Sequence, residues 1–412
     1  MKNQWSGGQY SFFRFALGIF LLLHFVLLSF GSKEALSNTG ARPREEVRRA
    51  FGEGLVHLFD SSSPAIVTAA LLCGAMLSAL FAVGKFDRPA ATILCILWAN
   101  FVGSDPLATH VEIPLISLLL LAHALLPSAP FGSIAAIGRV DPKGTWRMSP
   151  RVFGAAWALL ALGTSYSGTC KFGTPSWIDG SALRDLLQSP LARPTALREW
   201  LLSGSPIPLE LATWSVLGLQ LLFAPLAVFS RARPWIWLGI VGMQLLQILL
   251  LVDLDGHLVG LLWVYFFVFD PGWIPPPKAG RPDVLFYDGT CGLCHRTVRL
   301  VLAEDSTGDS FQFAALDSKL AREVFPAPQE LPDSLVVLTA EGRHLTRSSA
   351  VLRVLSRLGG LWRLVAVVLL LMPTRIRNSG YDLVAAIRHK IFRRPTTSYP
   401  LRPTSCARRW LP

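Results

Sequence analysis

Two cysteines, Cys291 and Cys294, stand three residues apart in the run Val-Leu-Phe-Tyr-Asp-Gly-Thr-Cys-Gly-Leu-Cys-His at 284–295. Such a pair can cycle between dithiol and disulfide if one sulfur is a thiolate near neutral pH and the other can reach it. The flanking residues supply both conditions. Val284 to Tyr287 read as a short buried strand, Asp288-Gly289 ends it with a turn, and Thr290 can cap the next helix. Arg296 to Ala303 has helical apolar spacing. A helix N-terminus offers unpaired N–H groups and partial positive charge, which lower a thiol pKa. Residues three apart share a helix face, so the Cys294 sulfur can meet Cys291. Cys291, nearer the helix end and expected to be the more exposed, is the attacking thiolate. Cys294 resolves the mixed disulfide, and Asp288 with Gly289 shapes the turn. His295 could add positive charge, but it reads more simply as a solvated first-turn residue.

A zinc site is the competing use of this spacing. A structural zinc takes four ligands, usually from two such pairs. This chain has one Cys-x-x-Cys, and Cys73, Cys95, Cys170 and Cys406 are scattered, so no metal is assigned. Cys73 and Cys95 lie in apolar runs as small hydrophobes. Strand, turn, Cys-x-x-Cys and helix together are the layout of a thioredoxin-type redox site.

The elements that must carry this site belong to an unusually apolar chain. Of 412 residues, 51% are hydrophobic and only 16% charged, which excludes an ordinary soluble protein and fits a multi-span membrane protein. Mean hydropathy is +0.44. The formal charge of +12 suits cytoplasmic loops facing anionic lipid. No basic stripe interleaved with aromatics argues for nucleic acid.

A span needs about 20 apolar residues. Candidates lie at 10–31, 64–84, 89–102, 110–127, 152–170, 208–229, 235–252 and 257–269, giving about eight spans within a helical membrane domain at 1–270. The first contains Arg14 and His24, and the later spans make it an uncleaved helix rather than a signal peptide. Residues 32–63 read as an external loop with an amphipathic helix. Between spans five and six, Leu183, Leu186 and Leu187, then Leu197, Trp200 and Leu201, mark two short amphipathic helices. With eight spans, Lys2, Lys85, Arg88, Arg139, Lys143, Arg147, Arg151, Arg231, Arg233, Lys278 and Arg281 fall on one side. That places both termini in the cytoplasm of a bacterial-type inner membrane.

A Pro-rich stretch, 271–282, reads as a stiff linker. From 283 to 394 the composition becomes that of an α/β domain. Strands are expected at 284–287, 311–316 and 334–338, the last turning at 340–342 into His344-Leu345. Helices follow the motif and occupy 319–324, 348–358 and 381–392. Residues 361–371 form a packed or membrane-touching helix, and 395–412 a disordered tail. Pro332 is the candidate for the proline that faces the active cysteine in thioredoxin folds.

Residues 283–394 resemble the DCC family of thiol-disulfide oxidoreductases. The resemblance rests on Tyr-Asp-Gly-Thr-Cys-Gly-Leu-Cys at 287–294, Asp-Ser-Leu-Val-Val-Leu at 333–338, Ser348-Ser349-Ala350, and the stretch from Tyr381 to Arg388. It implies a thioredoxin-like fold and dithiol chemistry at Cys291 and Cys294, without a substrate. The membrane part resembles the HTTM module of vitamin K-dependent gamma-carboxylases, through Tyr-Ser-Gly-Thr-Cys-Lys-Phe at 166–172, Trp177, Gly180 and His110. In the carboxylases a lysine is the base that activates vitamin K hydroquinone and a histidine assists. Lys171 and His110 stand where those would fall. Nothing in the chain looks like a propeptide-binding region.

With the eight-span topology, His110, Cys170-Lys171, Asp253, Asp255 and His257 share one membrane level, and Tyr166 lies about one turn deeper than Cys170. Ionisable groups converging there suggest a pocket for a quinone or polar headgroup. The plainer alternative is that Lys171 snorkels and the aspartates are loop residues. Cys170 would lie ~30 Å across the bilayer from Cys291, so electrons could pass between the modules only through a mobile carrier such as a membrane quinone. The expected function is membrane-bound thiol-disulfide exchange on a protein or small-molecule disulfide. Two alternatives are a quinone- or lipid-modifying enzyme with Lys171 as base and the thiol domain as reductant, and a non-enzymatic maturation or assembly partner for an exported peptide with the dithiol as a sensor.

Overall fold

The computed structural model describes residues 3–36, 63–104, 112–252, 257–277, 280–305, 307–325, 335–392, 400 and 403–412. The chain divides into two units. The first comprises Met1–Lys2, Phe13–Leu126 and Ser149–Phe269; the second comprises Asn3–Phe12, Pro127–Met148 and Asp270–Pro412. The division after Phe269 falls where the Pro-rich stretch begins. Segments 3–12 and 127–148, assigned from sequence to the membrane domain, cluster instead with the C-terminal residues.

The first unit is helical. Its elements are α1 (Gly7–Leu36) from Phe13 onward, α2 (Pro64–Val83), α3 (Asp87–Ser104), α4 (Glu112–Leu125), α5 (Pro150–Phe172), α6 (Pro175–Ile178), α7 (Ala182–Gln188), α8 (Ala196–Ser203), α9 (Ile207–Val228), α10 (Arg233–Leu250) and α11 (His257–Phe267). Four stretches among the described residues are long and apolar enough to cross a membrane: Gly7–Phe30, Pro64–Val83, Ile207–Val228 and Arg233–Leu250. The expected fourth and eighth spans contain shorter apolar helices, Pro114–Leu125 and Leu258–Phe267. Leu23, Leu72, Leu211 and Leu246 face outward, as a bundle solvated by hydrocarbon allows. The two short amphipathic patterns form α7 and α8. Thr195 caps α8 by accepting from the Arg198 N–H at 3.3 Å. The expected external loop is largely outside the described residues.

Small and polar residues tie the helices together. A Cβ on Gly168 would lie 2.7 Å from the Leu221 nitrogen, so only glycine lets α5 approach α9 there. Pro225, inside α9, cannot donate to the Leu221 carbonyl. The Ser165 hydroxyl lies 3.3 Å from that carbonyl and 3.0 Å from the Gln220 carbonyl, and accepts from the Ala224 N–H at 2.9 Å. The buried Arg14, read from sequence as an interruption, meets Asp87 at 3.4 Å, and His123 stands 3.6 Å from the same carboxylate oxygen. Three helices, α1, α3 and α4, are thereby joined by buried charge that pairing makes tolerable.

The second unit is built on a four-stranded mixed sheet of order β2-β1-β3-β4. Strand β1 (Asp283–Tyr287) runs parallel to β2 (Phe311–Ala315), across α12 (Gly292–Glu304). Strand β3 (Val336–Leu338) pairs antiparallel with β1 and with β4 (His344–Thr346). Leu285, Phe313 and Val337 meet Val298, Val301, Leu352 and Leu355 in one core; Phe286, Ala314 and Val336 meet Ala321 and Phe325 in another. Alternation along the strands divides these residues between the two faces. Helix α13 (Lys319–Val324) belongs to the second core. Helices α14 (Arg347–Leu358), α15 (Gly360–Leu370) and α16 (Thr374–Ile391) complete the unit.

Asp283 is fully buried and held by Arg353 at 2.7 and 3.1 Å, and it accepts from the Ala340 N–H at 3.0 Å. The turn between α14 and α15 needs Gly359 at φ 72°, where a Cβ would sit 2.6 Å from the Pro276 nitrogen. The Pro-rich stretch is therefore not a free spacer in its described part. Pro271–Trp273 forms a turn capped by Asp270, and Ile274 accepts from the Gly360 N–H at 2.6 Å. The chain end also departs from expectation. Thr404–Arg409 forms a 3-10 helix, Arg409 meets Asp305 at 2.6 Å, and the Leu411 N–H donates to the Phe313 carbonyl at 2.9 Å. Unpaired groups on the β2 edge give these tail residues partners that the local sequence pattern does not reveal.

Candidate active site

The dithiol sits where β1 hands the chain to α12. Cys291, rather than Thr290, is the N-cap of α12, with extended backbone at φ −100° and ψ 117°. Asp288 makes the preceding turn. Its carboxylate oxygen accepts from the Thr290 N–H at 2.7 Å and the Thr290 hydroxyl at 2.8 Å, and its carbonyl accepts from the Cys291 N–H at 3.2 Å. This local Asx turn delivers the Cys291 sulfur to the helix end, where it accepts from the Cys294 N–H at 3.4 Å. Both thiols are unbonded.

These contacts separate the two thiols electrostatically. Cys291 is pulled from the ordinary thiol value down to about 6. A hydrogen bond from the Cys294 thiol does most of this, burial opposes it, and the N–H groups of Cys294 and Leu293 and the charge of Arg388 assist. Cys294 is pushed up, by the same sulfur–sulfur hydrogen bond, by burial and by the negative charge on Cys291. One sulfur is thus a thiolate near neutral pH while its neighbour keeps its proton, which is the division of labour thiol exchange requires.

Two expectations about exposure are corrected. Cys291 is not the more exposed of the pair: both residues are buried, at 1% exposure for Cys291 and 8% for Cys294. Both belong to the core that includes Tyr287, Val298 and Ala350, because the short strand ends with its side chains still inside the unit. His295 is also buried rather than solvated. Its ring Nε2 lies 3.0 Å from the Gly289 carbonyl, which fixes the turn, and it meets the Tyr287 ring edge-on at 6.1 Å. Arg388 is a contributor whose role the motif alone does not disclose. It is buried on α16, which packs against α12. Its signal is present as the last residue of the matching Tyr381-to-Arg388 stretch. Tyr381 and Ser348, from the same resemblance, are also in contact with structure: the Tyr381 hydroxyl accepts from the Leu335 N–H at 2.9 Å, and the Ser348 hydroxyl donates to Asn378 at 2.6 Å.

The membrane candidates are not brought together among the described residues. The Lys171 ammonium donates to the Ser167 hydroxyl at 2.8 Å and stands 5.4 Å from the centre of the Trp177 ring. Tyr166 points outward. Five residues on one helix turn these two side chains to different faces. His110, Asp253, Asp255 and Pro332 lie outside the described residues, as does the side chain of His257. Among the described residues no group of three or more His, Cys, Asp and Glu side chains is arranged to hold a metal ion.

Comparison with known proteins bears on the second unit alone. Residues 285–394 match the DCC1-like thiol-disulfide oxidoreductase family. The uncharacterized protein YuxK of Bacillus subtilis is 31% identical over 112 residues, covering 26% of this chain and 80% of that protein. A DCC family protein of the Arabidopsis thaliana chloroplast is 32% identical over 116 residues, covering 28% of this chain and 66% of that protein. No solved structure matches. Through this C-terminal region, with its cysteine pair at the start of α12, the chain belongs to the DCC1-like thiol-disulfide oxidoreductase family.

Proposed function

We propose that this protein is a membrane-bound enzyme that reduces or exchanges disulfides with the Cys291–Cys294 dithiol. The observation that carries the proposal is the Cys291 sulfur at the N-cap of α12, accepting from the Cys294 N–H at 3.4 Å, with both thiols free. The Cys291 thiolate attacks one sulfur of a substrate disulfide; a Cys291–substrate bond forms and the other substrate sulfur leaves as a thiolate. Charge on Cys291 is then gone, so the effect that held the Cys294 proton weakens. Cys294 loses that proton and attacks the Cys291 sulfur, releasing the second substrate thiolate. The dithiol has given two electrons to the substrate and become a disulfide, which an external dithiol returns to the reduced form.

Helix α12 supplies N–H groups to the thiolate, Asp288 shapes its entry, and Arg388 adds positive charge. Because Cys291 is enclosed, a partner's disulfide meets it after a local opening of the surrounding side chains. The sheet order, with a parallel β-α-β start and an antiparallel second half, supports a thioredoxin-like reading of this unit. The apolar helices support a polytopic arrangement, and the basic short loops support eight spans with the dithiol on the cytoplasmic side of a bacterial-type inner membrane. The substrate class is a disulfide-bearing protein or small molecule.

The test is dithiol-driven reduction of a small aromatic disulfide by the purified full chain. Cys291→Ser is expected to reduce turnover to background, and full turnover in that variant would contradict the assignment.

A further inference from the structure

Helix α16 buries polar side chains and leaves large apolar ones exposed. Its inward residues are polar: Asn378 accepts from Ser348, Tyr381 accepts from the Leu335 N–H, and Arg388 is buried. Its outward face carries an apolar stripe. Ile376, Leu383 and Ile387 follow at spacings of seven and four, which puts them in one stripe, and all are exposed, Leu383 by 65%. The preceding helix continues that surface. The first half of α15 is packed, with Leu361, Trp362 and Ala366 buried, but Val368, Leu370 and Leu371 emerge at its end, Leu371 by 81%. A soluble domain would not leave so many large side chains in water on two consecutive helices without an occupant.

Charge identifies the occupant. Residues 360–392 contain Arg363, Arg375, Arg377, Arg388 and Lys390 against a single acid, Asp382, which stands 3.6 Å from Arg347. Arg363, Arg375 and Lys390 are exposed. An apolar stripe bordered by cations fits a surface that is hydrocarbon beneath and anionic above. A second copy of the same face would bring like charges together. The bilayer is also always within reach, because the same chain carries four helices long and apolar enough to cross it.

We propose that the end of α15 and the outer stripe of α16 form a lipid-docking surface that lies in the interface of an anionic membrane. Val368, Leu370, Leu371, Ile376, Leu383 and Ile387 enter the acyl boundary, and the bordering arginines and lysine meet phosphate headgroups. Since α16 packs on α12, docking holds the dithiol near the lipid surface, within reach of disulfides borne by membrane-embedded or membrane-bound partners. The surface itself does not depend on the redox assignment.

The test uses the full chain reconstituted in vesicles of phosphatidylethanolamine and phosphatidylglycerol. An environment-sensitive fluorophore is introduced by a non-natural amino acid at position 371, 383 or, as control, 343 in the exposed β3–β4 turn. Brominated lipids are expected to quench the first two roughly twofold or more above the control, with iodide excluded from both. Equal quenching at all three positions, or energy transfer between labelled copies at 371 and 383, would overturn the proposal, the latter in favour of a dimer interface. The unsubstituted chain gives an independent check. A photoactivatable lipid should label peptides from 367–387 and spare 340–346; the reverse pattern, or no labelling of 367–387, also overturns it.

Discussion

The backbone N–H of Cys294 is aimed at the sulfur of Cys291 from 3.4 Å, so the residue proposed to resolve the mixed disulfide also holds the sulfur proposed to attack. One turn of helix performs both tasks because residues three apart lie on the same face.

The pH dependence of alkylation is set by this pairing. Cys291 should react with iodoacetamide along a curve centred near pH 6, where the thiolate forms, instead of near the ordinary thiol value of 9.0. The sign for stability is set by the same lowering. The contribution of Cys291 to the dithiol form is fully present above the ordinary thiol pKa and is lost as pH falls through about 6. Cys294, displaced upward, opposes stability only above its ordinary value, so the dithiol protein should be least stable at the acid end, gain stability from about pH 6 up to the ordinary thiol value, and lose some of that gain above it. Unfolding midpoints measured from pH 5 to 10, in about one-unit steps, check both arms.

Enclosure adds a kinetic expectation. At a pH where Cys291 is fully ionised, its alkylation should still be slower than that of a small thiol of similar pKa, because reagent enters only during opening. Mild denaturant below the unfolding transition should accelerate it. A rate equal to that of the free thiol, insensitive to denaturant, would show that the sulfur is open.

Arg388→Gln removes a buried positive charge whose field favours the thiolate. The alkylation curve should move to higher pH. Arg388→Lys should recover part of the displacement, which a purely structural defect would not.

Glu304 is the last residue of α12 and is buried. Its carboxyl accepts from the Trp362 Nε1–H at 2.6 Å, the Gly8 N–H at 3.0 Å and the Ser6 hydroxyl. Glu304→Ala strands three donors and should destabilise the second unit by roughly 2–4 kcal/mol. Glu304→Gln, which keeps a carbonyl acceptor, should lose less. Denaturant unfolding followed by tryptophan fluorescence measures the difference.

Much of the second unit is legible in sequence because its local signals agree. The apolar run of β1, the Asp-Gly break and the periodicity after Cys294 all point to the same strand–turn–helix. Legibility fails where long-range partners decide the outcome. The last helix begins at Thr374, seven residues before the amphipathic pattern from Tyr381, because Asn378 is engaged by Ser348 despite the unfavourable Asn-Ser-Gly run. The chain end has no local pattern of its own and gains structure from the β2 edge and the Asp305 carboxylate. Thiol exposure is hidden from sequence for a related reason. Position in a helix says which sulfur is terminal, whereas enclosure depends on neighbours from β1, α14 and α16. In the first unit, the pairing of Arg14 with Asp87 spans 73 residues and leaves no mark in either local pattern.

Trapping of the covalent intermediate bears most directly on the thiol mechanism. Cys294→Ser protein is mixed with a disulfide-bearing peptide, quenched in acid and digested, and the adduct is located by mass spectrometry. The peptide should be found on Cys291 and be released by added dithiol. An adduct on Cys406 or Cys170 instead, or none at Cys291 while the wild-type chain turns over, would contradict the assignment of Cys291 as the nucleophile.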